Sequence, residues 1–570
     1  MIAHLLFALI LALAAPRVVA SVPGEEAWLQ PKAQASRLKV EDSGSASTST
    51  FVLAPLPAMK VVGPQDSILK RTLIGARRDL AADLESTSGP APGSHWDRAA
   101  DGGLVTRIAV ASPGALALRL GIRLAAAPAG AELRFRGANA TVVGPIPAPT
   151  VLEATHDQGV YWSPVTEGGL QVVELWIPAG ADPTRVKLEA EAASHLVAQP
   201  SSRFKASGIG AAGTCHEDVA CVANSNPAFA RAARAVAKMV YTENGMTYLC
   251  TGTLVNDTDH ASQVPYFHTA AHCVGTQAAA ATLNTFWFYE ANACPGKSIS
   301  DYKQLPGGAK LLHANADTDV ALLRLADRAP DGAWFAGWDE AALPADVPLV
   351  AIHHPAGDLK KVAIGITLAP TASSSGASYS TATWLSGTTE PGSSGSGLFT
   401  LQDGEYVLRG GLKGGSASCA NSGRPEDPSN RDYYSRFDLE AVSLRAILAT
   451  GPAPLEDYTD MWYDAAEPGW GLSIQQHPSN KTFITWFAYE ADGRPTWFVM
   501  TDPQWTSAAT LEGTIYRTSG TAWDQAWQPA KLTVAPVGRG RIDFGYNGTA
   551  TATLTVDGKT VTKPVRRQPY

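Results

Sequence analysis

The sequence predicts a mainly β protein built from several separately folded domains. Short stretches rich in β-branched and aromatic residues recur between Gly, Pro, Asn-Gly and Asp-Gly turn signals. The chain has 570 residues, which at roughly 150 residues per domain allows three or four domains that each bury a core. Hydrophobic residues make up 45% and charged residues 17% of the chain, as in folded proteins rather than disordered ones.

The charge balance excludes one class of partner. The chain has 45 Lys and Arg residues against 53 Asp and Glu residues, which gives a net charge of −8. Proteins that bind nucleic acids through general basic charge have the opposite balance. We therefore expect no nucleic-acid partner.

The amino terminus predicts export. Residues 5–15 form an uninterrupted apolar run, and small side chains follow at residues 18–20. A run of this length is too short to span a bilayer, which needs about 20 residues, but it is typical of a secretory signal peptide. We expect a signal peptide over residues 1–20 and a secreted, extracellular protein that does not associate with a membrane after the signal is cleaved.

The first domain is predicted over residues 21–207. Its part before residue 100 is rich in Ser, Ala, Pro and Gly and has little strand pattern. From about residue 104, short alternating segments separated by Pro-Gly and Ala-Gly turns predict a small β-sandwich. The domain ends in a linker in which Arg203 and Lys205 are two basic residues.

The second domain, over residues 208–450, contains all the cysteines of the chain. They are Cys215, Cys221, Cys250, Cys273, Cys294 and Cys419. An even number of cysteines in an exported chain predicts three disulfides. The closely spaced ligand pairs that zinc requires are absent, so we expect no metal and no cofactor. Six cysteines allow fifteen pairings, and spacing alone does not choose among them.

Strands and turns dominate this second domain. Asn244-Gly245 and Asp403-Gly404 are strong hairpin signals, because these residues accept the positive φ angles of a type I′ turn. Asp319 precedes an apolar strand, and residues 438–449 have a helical pattern that closes the domain. Many short strands with few helices predict an all-β barrel or sandwich.

A third domain is predicted over residues 455–570, after a Gly-Pro-Ala-Pro linker. It holds seven of the fifteen Trp residues, in strand–turn–strand patterns that predict an antiparallel β domain, such as a small barrel. Trp462, Trp470, Trp497 and Trp505 are candidates for a face that docks on a cell surface, a polysaccharide or a peptide. The alternative is that they belong to the core.

Three separated segments carry candidate chemistry. His272 stands next to Cys273, Asp319 begins an apolar strand, and Ser394 lies in a glycine-rich loop. Serine acyl transfer needs a hydroxyl nucleophile, an imidazole base and a carboxylate that fixes the imidazole tautomer. Each residue alone has an ordinary structural interpretation. Three nearby residues are rivals for these roles: Asp317, His353 and His354.

His272, Asp319 and Ser394 occur in the order His, Asp, Ser, with spacings of 47 and 75 residues. In this order and spacing the sequence resembles the chymotrypsin-like serine proteases. It resembles their bacterial lysyl endopeptidase branch more closely, over about residues 208–449. Further matching stretches lie at residues 250–255, 338–339 and 352–355. The resemblance implies a chymotrypsin-like double β-barrel.

The resemblance also implies roles for individual residues. His272 is the implied base, Asp319 the residue that orients it and Ser394 the nucleophile. The N–H groups of Gly392 and Ser394 are the implied oxyanion hole. The implied disulfides are Cys215–Cys419, Cys221–Cys294 and Cys250–Cys273, and residues 21–207 are an implied propeptide because the family's mature chain starts just before the first cysteine.

Specificity depends on fewer residues. In the lysyl branch an acid shortly after the last cysteine lies at the base of the pocket for the substrate side chain, and Asp432 is in that place. Glu426 and Asp427 are competitors. Lys413 is found where lysine-specific relatives have His. The resemblance therefore implies a cation near the pocket, which could pair with Asp432 or weaken the selection of Lys over Arg. We expect cleavage after Lys, with Arg as the open alternative, and self-cleavage near Arg203 and Lys205.

The sequence thus predicts a secreted serine endopeptidase that acts on protein and peptide substrates. A secreted binding protein with the shape of a protease and a blocked triad is the alternative function.

Overall fold

The computed structural model describes residues 21–27, 29, 48–57, 69–139, 142–198, 210–258, 263–296, 298–372, 376–449, 454, 457–464, 466–477, 480–507, 509–545 and 548–568. The predicted signal peptide and the linker around Arg203 and Lys205 lie outside these residues. The chain is 51% strand and 10% helix, which confirms the mainly β fold class. None of the helices in the described ranges has the length and apolar character needed to cross a bilayer.

The N-terminal domain consists of two β-sheets with one core between them. Ile108, Val110 and Val173 of one sheet pack against Leu118 and Leu120 of the other, and all five side chains are buried. This is the two-layer arrangement of a sandwich. The elements from the start of the described chain to the end of this domain are β1 Ser21–Val22, β2 Glu25–Glu26, β3 Thr48–Leu53, β4 Thr72–Asp79, β5 Leu84–Ser88, β6 Asp97–Arg98, β7 Leu104–Ala111, β8 Ala117–Ala126, β9 Glu132–Gly137, β10 Val142–Pro147, α1 Ala148–Gln158, β11 Tyr161–Trp162, β12 Thr166–Glu167, β13 Leu170–Ile177, a 3₁₀ turn Pro183–Arg185 and β14 Lys187–Leu196.

Strands begin earlier in this domain than the sequence predicted. The sequence places its β-rich part from about residue 104, whereas β3, β4 and β5 all precede that position. Strand β5 has exposed residues on both faces, so it shows no alternation of apolar and polar side chains. Strand β4 carries Gly75, Arg77 and Arg78, which interrupt the alternation of apolar and polar residues expected of a strand. Its neighbours on both edges come from distant parts of the chain.

Strand β4 joins the N-terminal domain to the middle domain. One edge pairs with β14 of its own domain, and the other edge pairs with Met246–Val255, strand β17 of the middle domain. The two domains therefore share one continuous sheet. Arg119 of β8 adds a buried contact, since its guanidinium donates to Thr242 Oγ1 at 2.7 Å and to the carbonyl oxygen of Thr282 at 2.5 Å.

The middle domain has two β-barrels with the candidate site residues at loops of both. The first barrel has the strand order β20-β19-β16-β17-β18-β22-β21, and the second closes on itself as β29-β28-β25-β26-β27-β30. The elements are β15 Glu217–Asp218, α2 Val219–Ala223, α3 Pro227–Arg234, β16 Val236–Glu243, β17 Met246–Val255, β18 Tyr266–Thr269, α4 Gln277–Ala281, β19 Asn284–Trp287, β20 Lys303–Leu305, β21 Ala309–Asn315, β22 Val320–Leu325, β23 Trp334–Phe335, β24 Trp338–Asp339, β25 Pro348–His353, a 3₁₀ turn Pro355–Gly357, β26 Lys361–Ala372, β27 Ser378–Ser386, β28 Gly397–Gln402, β29 Glu405–Gly415, β30 Asp432–Tyr434 and α5 Phe437–Leu448.

Local sequence explains the turns and the covalent links of this domain. Asn244 and Asp403 have positive φ angles of 48° and 51°, as the two predicted hairpins require. The disulfides are Cys215–Cys419, Cys221–Cys294 and Cys250–Cys273, which are the pairs that the resemblance implies. Helix α5 spans Phe437–Leu448, one residue closer to the N-terminus at each end than the predicted helix over residues 438–449.

The C-terminal domain is a closed antiparallel barrel. Its ring has the order β34-β33-β32-β31-β39-β38-β37-β36, and the pairing of β34 with β36 closes it. The elements are β31 Asp460–Tyr463, β32 Gly471–Gln476, β33 Thr482–Tyr489, β34 Pro495–Met500, β35 Gln504–Ser507, β36 Thr510–Ser519, a 3₁₀ turn Pro529–Lys531, β37 Thr533–Phe544, β38 Thr549–Val556 and β39 Lys559–Arg567.

The four Trp residues singled out in this domain do not share one environment. Trp462 and Trp505 are buried in the barrel core, Trp470 packs partly against it, and Trp497 is exposed. The core alternative therefore describes Trp462 and Trp505. Trp497 remains available for contact with a partner, and a docking role for this domain stays a prediction.

Candidate active site

His272 lies in the loop after β18, in the first barrel. The neighbouring Cys273 is tied to Cys250 of β17 by a disulfide, and the backbone N–H of Ala271 donates to the carbonyl oxygen of Asp319 at 3.2 Å. These links hold the loop against the strands on both sides. The histidine side chain is 12% exposed, so one edge of the ring still reaches solvent or a bound chain.

Asp319 fixes the orientation of this histidine. Its Oδ1 accepts from the backbone N–H of His272 at 2.9 Å, and its Oδ2 lies 2.8 Å from His272 Nδ1. A carboxylate on Nδ1 keeps the proton there and leaves Nε2 free to accept one. Asp319 has a φ of 61°. Its rival Asp317 is exposed and bonds through its backbone to Asn315 and Tyr379.

Ser394 comes from the second barrel, in the loop before β28. Its Oγ lies 2.8 Å from His272 Nε2, so carboxylate, imidazole and hydroxyl form one continuous series of contacts. The loop turns sharply at Gly392, whose φ is 103°. A side chain at this position would be strained, and its Cβ would lie 2.8 Å from the carbonyl oxygen of His354.

The rival histidines are buried next to the loop that carries Ser394, and the ring of His353 contacts it. Nδ1 of His353 lies 2.7 Å from Ser393 Oγ, which also accepts from the backbone N–H of Glu390 at 3.2 Å. Nδ1 of His354 lies 3.0 Å from the carbonyl oxygen of Asp358. Both rings are fully buried. Neither ring is among the contacts of Ser394 Oγ, which are His272 Nε2 and the backbone N–H of Lys70.

Burial keeps three histidines near the site uncharged. It lowers the pKa of His353 and of His354 well below the usual 6.5, and it lowers the pKa of His268 to about 3. His268 packs edge-on against Phe437, with the ring centres 4.9 Å apart. An apolar environment disfavours the charged imidazolium, because the ion loses its hydration without gaining a partner.

We expect the folded protein to lose stability as the pH falls from 7 to 5. Below about pH 6.5 the unfolded chain binds protons at these histidines while the folded chain does not, so stability is present above this pH and is lost below it. Each such histidine contributes up to about 1.4 kcal/mol per pH unit. Thermal unfolding of the Ser394→Ala chain, which cannot digest itself, would measure this. A His268→Gln variant should show a flatter pH dependence, and a midpoint independent of pH over this range would contradict the prediction.

The site is occupied by Lys70 of the N-terminal domain. The carbonyl oxygen of Lys70 accepts from the backbone N–H groups of Gly392 at 2.6 Å and Ser394 at 3.1 Å, which are the donors implied for the oxyanion hole. The backbone N–H of Lys70 donates to Ser394 Oγ at 2.9 Å. Lys70 could not be recognised as a site residue from the sequence, because nothing local distinguishes it from other lysines.

The side chain of Lys70 reaches Asp432 at the base of a buried pocket. Its Nζ lies 2.7 Å from Asp432 Oδ1, 2.7 Å from Thr389 Oγ1, 2.9 Å from the carbonyl oxygen of Thr389 and 3.0 Å from that of Ala417. Both charged groups are at most 6% exposed. These oxygens satisfy the ammonium donors, as a buried charge requires.

Two further residues hold the Asp432 carboxylate in place. Its Oδ2 accepts from Trp384 Nε1 and from Thr389 Oγ1, each at 2.7 Å. Trp384 and Thr389 were not candidates from the sequence, because only the pairing of β27 with β30 brings Trp384 close.

The other charged residues considered for the pocket lie elsewhere. Glu426 is exposed, and Asp427 accepts from the backbone N–H of Ser429 at 2.9 Å. Nζ of Lys413 donates to the hydroxyl of Tyr379 at 2.7 Å and lies above the ring. In the described part of the chain, Lys70 is the cation that pairs with Asp432.

The described residues offer little to a metal ion. Two groups have a metal-like spacing, Cys215 with His216 and Cys419, and Cys250 with His272 and Cys273. In each group the two cysteines are bonded to each other as a disulfide, so neither provides a thiolate ligand.

Comparison with known proteins assigns the chain to a family. The family description "Lysyl endopeptidase, C-terminal domain" matches residues 209–435, and "Lysyl endopeptidase N-terminal domain" matches residues 55–197. A lysyl endopeptidase of Pseudomonas aeruginosa is 38% identical over 361 residues, which cover 60% of this chain and 74% of that protein.

Two solved structures match part of the chain with low similarity. One is a thermostable serine protease from an extremophilic microorganism, with 15% identity and a TM-score of 0.27 over 38% of this chain and 98% of that one. Another is an inactive mutant of Rv3671c from M. tuberculosis, with 16% identity and a TM-score of 0.27 over 40% of this chain and 94% of that one. These scores are too low to add weight to the family match. With both of its family-specific domains present in order, the chain belongs to the lysyl endopeptidase family and is a serine endopeptidase that acts on peptide or protein substrates.

Proposed function

We propose that the protein is a secreted endopeptidase that cleaves peptide bonds after lysine, with Ser394 as nucleophile, His272 as general base and Asp319 as the residue that orients the histidine. The observation that carries this proposal is the position of Lys70. The backbone carbonyl of Lys70 accepts from the two implied oxyanion donors, and its side chain pairs with the buried carboxylate of Asp432. The predicted signal peptide and the three disulfides support secretion.

The contacts support the following reaction steps. Ser394 Oγ attacks the substrate carbonyl carbon while His272 Nε2 accepts the hydroxyl proton. The N–H groups of Gly392 and Ser394 stabilise the oxyanion that forms. The imidazolium then donates its proton to the leaving nitrogen, the acyl ester remains on Ser394, and water activated by the same histidine hydrolyses the ester. Asp319 stabilises the imidazolium and does not itself take the proton.

The pocket favours lysine over arginine. A guanidinium binds a carboxylate best through two parallel hydrogen bonds to both oxygens. Oδ2 of Asp432 is already engaged by Trp384 and Thr389, so only Oδ1 remains for a substrate. A compact ammonium needs a single carboxylate oxygen and further acceptors around it, which the carbonyl oxygens of Thr389 and Ala417 provide.

We also propose that residues 21–207 are a propeptide and that cleavage near Arg203 or Lys205 produces the mature chain. A protease that cleaves after lysine has a site for its own maturation at Lys205, and arginine cleavage would add Arg203. Docking of the C-terminal domain on a surface or polysaccharide remains a separate proposal, supported by the exposed Trp497.

Digestion of a peptide library by the secreted protein tests the proposal. We expect cleavage after Lys in preference to Arg by about 10-fold or more, since the loss of good charged hydrogen bonds costs about 1.5–3 kcal/mol. A fluorophosphonate should label the wild-type protein at Ser394 and should not label the Ser394→Ala variant. An unlabelled, well-folded wild-type chain with its N-terminal domain removed would instead favour the inactive binding protein.

A further inference from the structure

The segment Leu69–Thr72 crosses the active site in the manner of a substrate. Leu69 forms an antiparallel bridge with Gly414 of β29, Lys70 occupies the pocket and the oxyanion donors, and Thr72 begins the pairing with β17. The chain thus passes the nucleophile in an extended conformation, with contacts on both sides of the Lys70–Arg71 bond.

Arg71 is held on the leaving-group side of that bond. Its Nη1 donates to Glu243 Oε2 at 2.9 Å and to the carbonyl oxygen of His272 at 2.8 Å. The guanidinium also lies 4.5 Å from the centre of the Tyr248 ring. A salt bridge, a backbone acceptor and an aromatic face together give this side chain a specific place.

The catalytic loops are already arranged for catalysis while Lys70 is bound. The histidine contacts both its partners, and the two oxyanion donors point at one carbonyl oxygen. The triad contacts and the oxyanion donors are therefore intact in this state. A second substrate has no room there, because Lys70 occupies the pocket and the oxyanion donors.

From these contacts we propose that the N-terminal domain is a built-in, substrate-like inhibitor of the middle domain, with Lys70–Arg71 as its reactive bond. The inference rests on the proposed specificity for lysine, since the same pocket that would bind a substrate lysine binds Lys70.

The sheet explains why such an inhibitor is not simply consumed. Attack by Ser394 Oγ on the Lys70 carbonyl would pass the hydroxyl proton through His272 to the nitrogen of Arg71, break that C–N bond and leave an acyl ester at Lys70. The new amino group stays beside the ester, because β4 pairs with β14 on one edge and with β17 on the other. A leaving group retained at high effective concentration re-forms the peptide bond in competition with hydrolysis.

Peptide binding to chains that cannot cleave tests the inference. The full chain carrying Ser394→Ala is compared with Ser394→Ala/Lys70→Ala, and the probe is a fluorescein-labelled peptide containing Leu-Lys-Arg-Thr. We expect the double variant to bind the probe about 100-fold more tightly, because alanine gives up the buried ion pair with Asp432 while the probe gains it. Ser394→Ala/Arg71→Ala should show an intermediate gain.

A matched control separates occupancy from general loosening of the domain. Lys187 lies at the exposed start of β14 in the same domain, so Ser394→Ala/Lys187→Ala should bind the probe no better than Ser394→Ala. Thermal unfolding checks that each variant is folded. Equal, tight binding of the probe by Ser394→Ala and by the Lys70 variant would contradict the proposal that the N-terminal domain is an inhibitor. It would still agree with a pocket that binds lysine. Absence of binding by every variant would instead contradict the lysine specificity, and the inhibitor with it.

Discussion

Replacement of Ser394 by Ala is expected to lower kcat by about 10⁵- to 10⁶-fold, the scale of loss when the nucleophile of a serine protease triad is removed. The hydroxyl is the atom that His272 Nε2 contacts at 2.8 Å, and no other described hydroxyl contacts that nitrogen. Replacement of His272 by Ala should cost about as much, because an unactivated hydroxyl is a weak nucleophile. Asp319→Asn should cost about 10⁴-fold, since an amide favours the wrong tautomer of the imidazole.

These variants need a preparation that does not depend on their own activity. A cleavage sequence for an unrelated protease, inserted between residues 203 and 208, allows the N-terminal domain to be cut away and that protease to be removed. Hydrolysis of a lysyl amide substrate is then compared at saturating concentration.

The combination of variants provides the sharper test. Residues that act as one unit lose their effect together, so Ser394→Ala/His272→Ala should be little slower than Ser394→Ala alone. Asp317→Asn is the matched control on the same loop and should retain nearly full activity, because the Asp317 side chain makes none of the triad contacts. Losses that multiply in the double variant, or a large loss with Asp317→Asn, would contradict the proposed assignment.

Local patterns predicted much of the middle domain. The Asn-Gly and Asp-Gly turns, the apolar strand after Asp319 and the helix near residue 438 each depend on neighbours in sequence, and each is present in the structure. Short motifs around His272, Asp319 and Ser394 are equally local. The structure brings these three side chains together although 122 residues separate the histidine from the serine.

Contacts between distant segments were not predictable in this way. Lys70 meets Asp432 across 362 positions of sequence, and strand β4 has one neighbour in each of two domains. The sequence around residue 70 has no pattern that indicates these partners, because strand pairing depends on which strand edges the rest of the fold leaves open. Trp384 could not be predicted for the same reason, since the pairing of Ala382 with Asp432 brings its indole within reach of the Asp432 carboxylate.

Replacement of Asp432 by Asn is expected to lower kcat/KM for lysyl substrates by about 30- to 5,000-fold, which corresponds to the roughly 2–5 kcal/mol lost when one partner of a buried, hydrogen-bonded charge pair is removed. The carboxylate is fully buried and supplies the negative charge among the pocket contacts that Lys70 makes with described residues. Without this carboxylate, a substrate ammonium that moves from water into the pocket would contact only carbonyl and hydroxyl dipoles, which do not compensate for its lost hydration.

The loss should depend on the substrate. A substrate with an uncharged side chain, such as norleucine in place of lysine, gains nothing from the carboxylate, so its hydrolysis by the Asp432→Asn enzyme should be unchanged or faster. Trp384→Phe retains the ring but removes the N–H that holds Oδ2 at 2.7 Å. This change removes one of the two donors to Oδ2 and leaves Thr389 Oγ1 as the other. We expect it to narrow the preference for Lys over Arg.

Glu426→Gln is the control for the pocket assignment, because Glu426 is an exposed acid in the loop that precedes β30 and Asp432. It should leave kcat/KM for lysyl and arginyl substrates close to wild type, since the Glu426 side chain is not among the pocket contacts of Lys70. If Glu426→Gln removed lysine specificity while Asp432→Asn kept it, the acid that selects the substrate would lie in the loop before β30, and the position of Lys70 would have to be explained without a charge at its end.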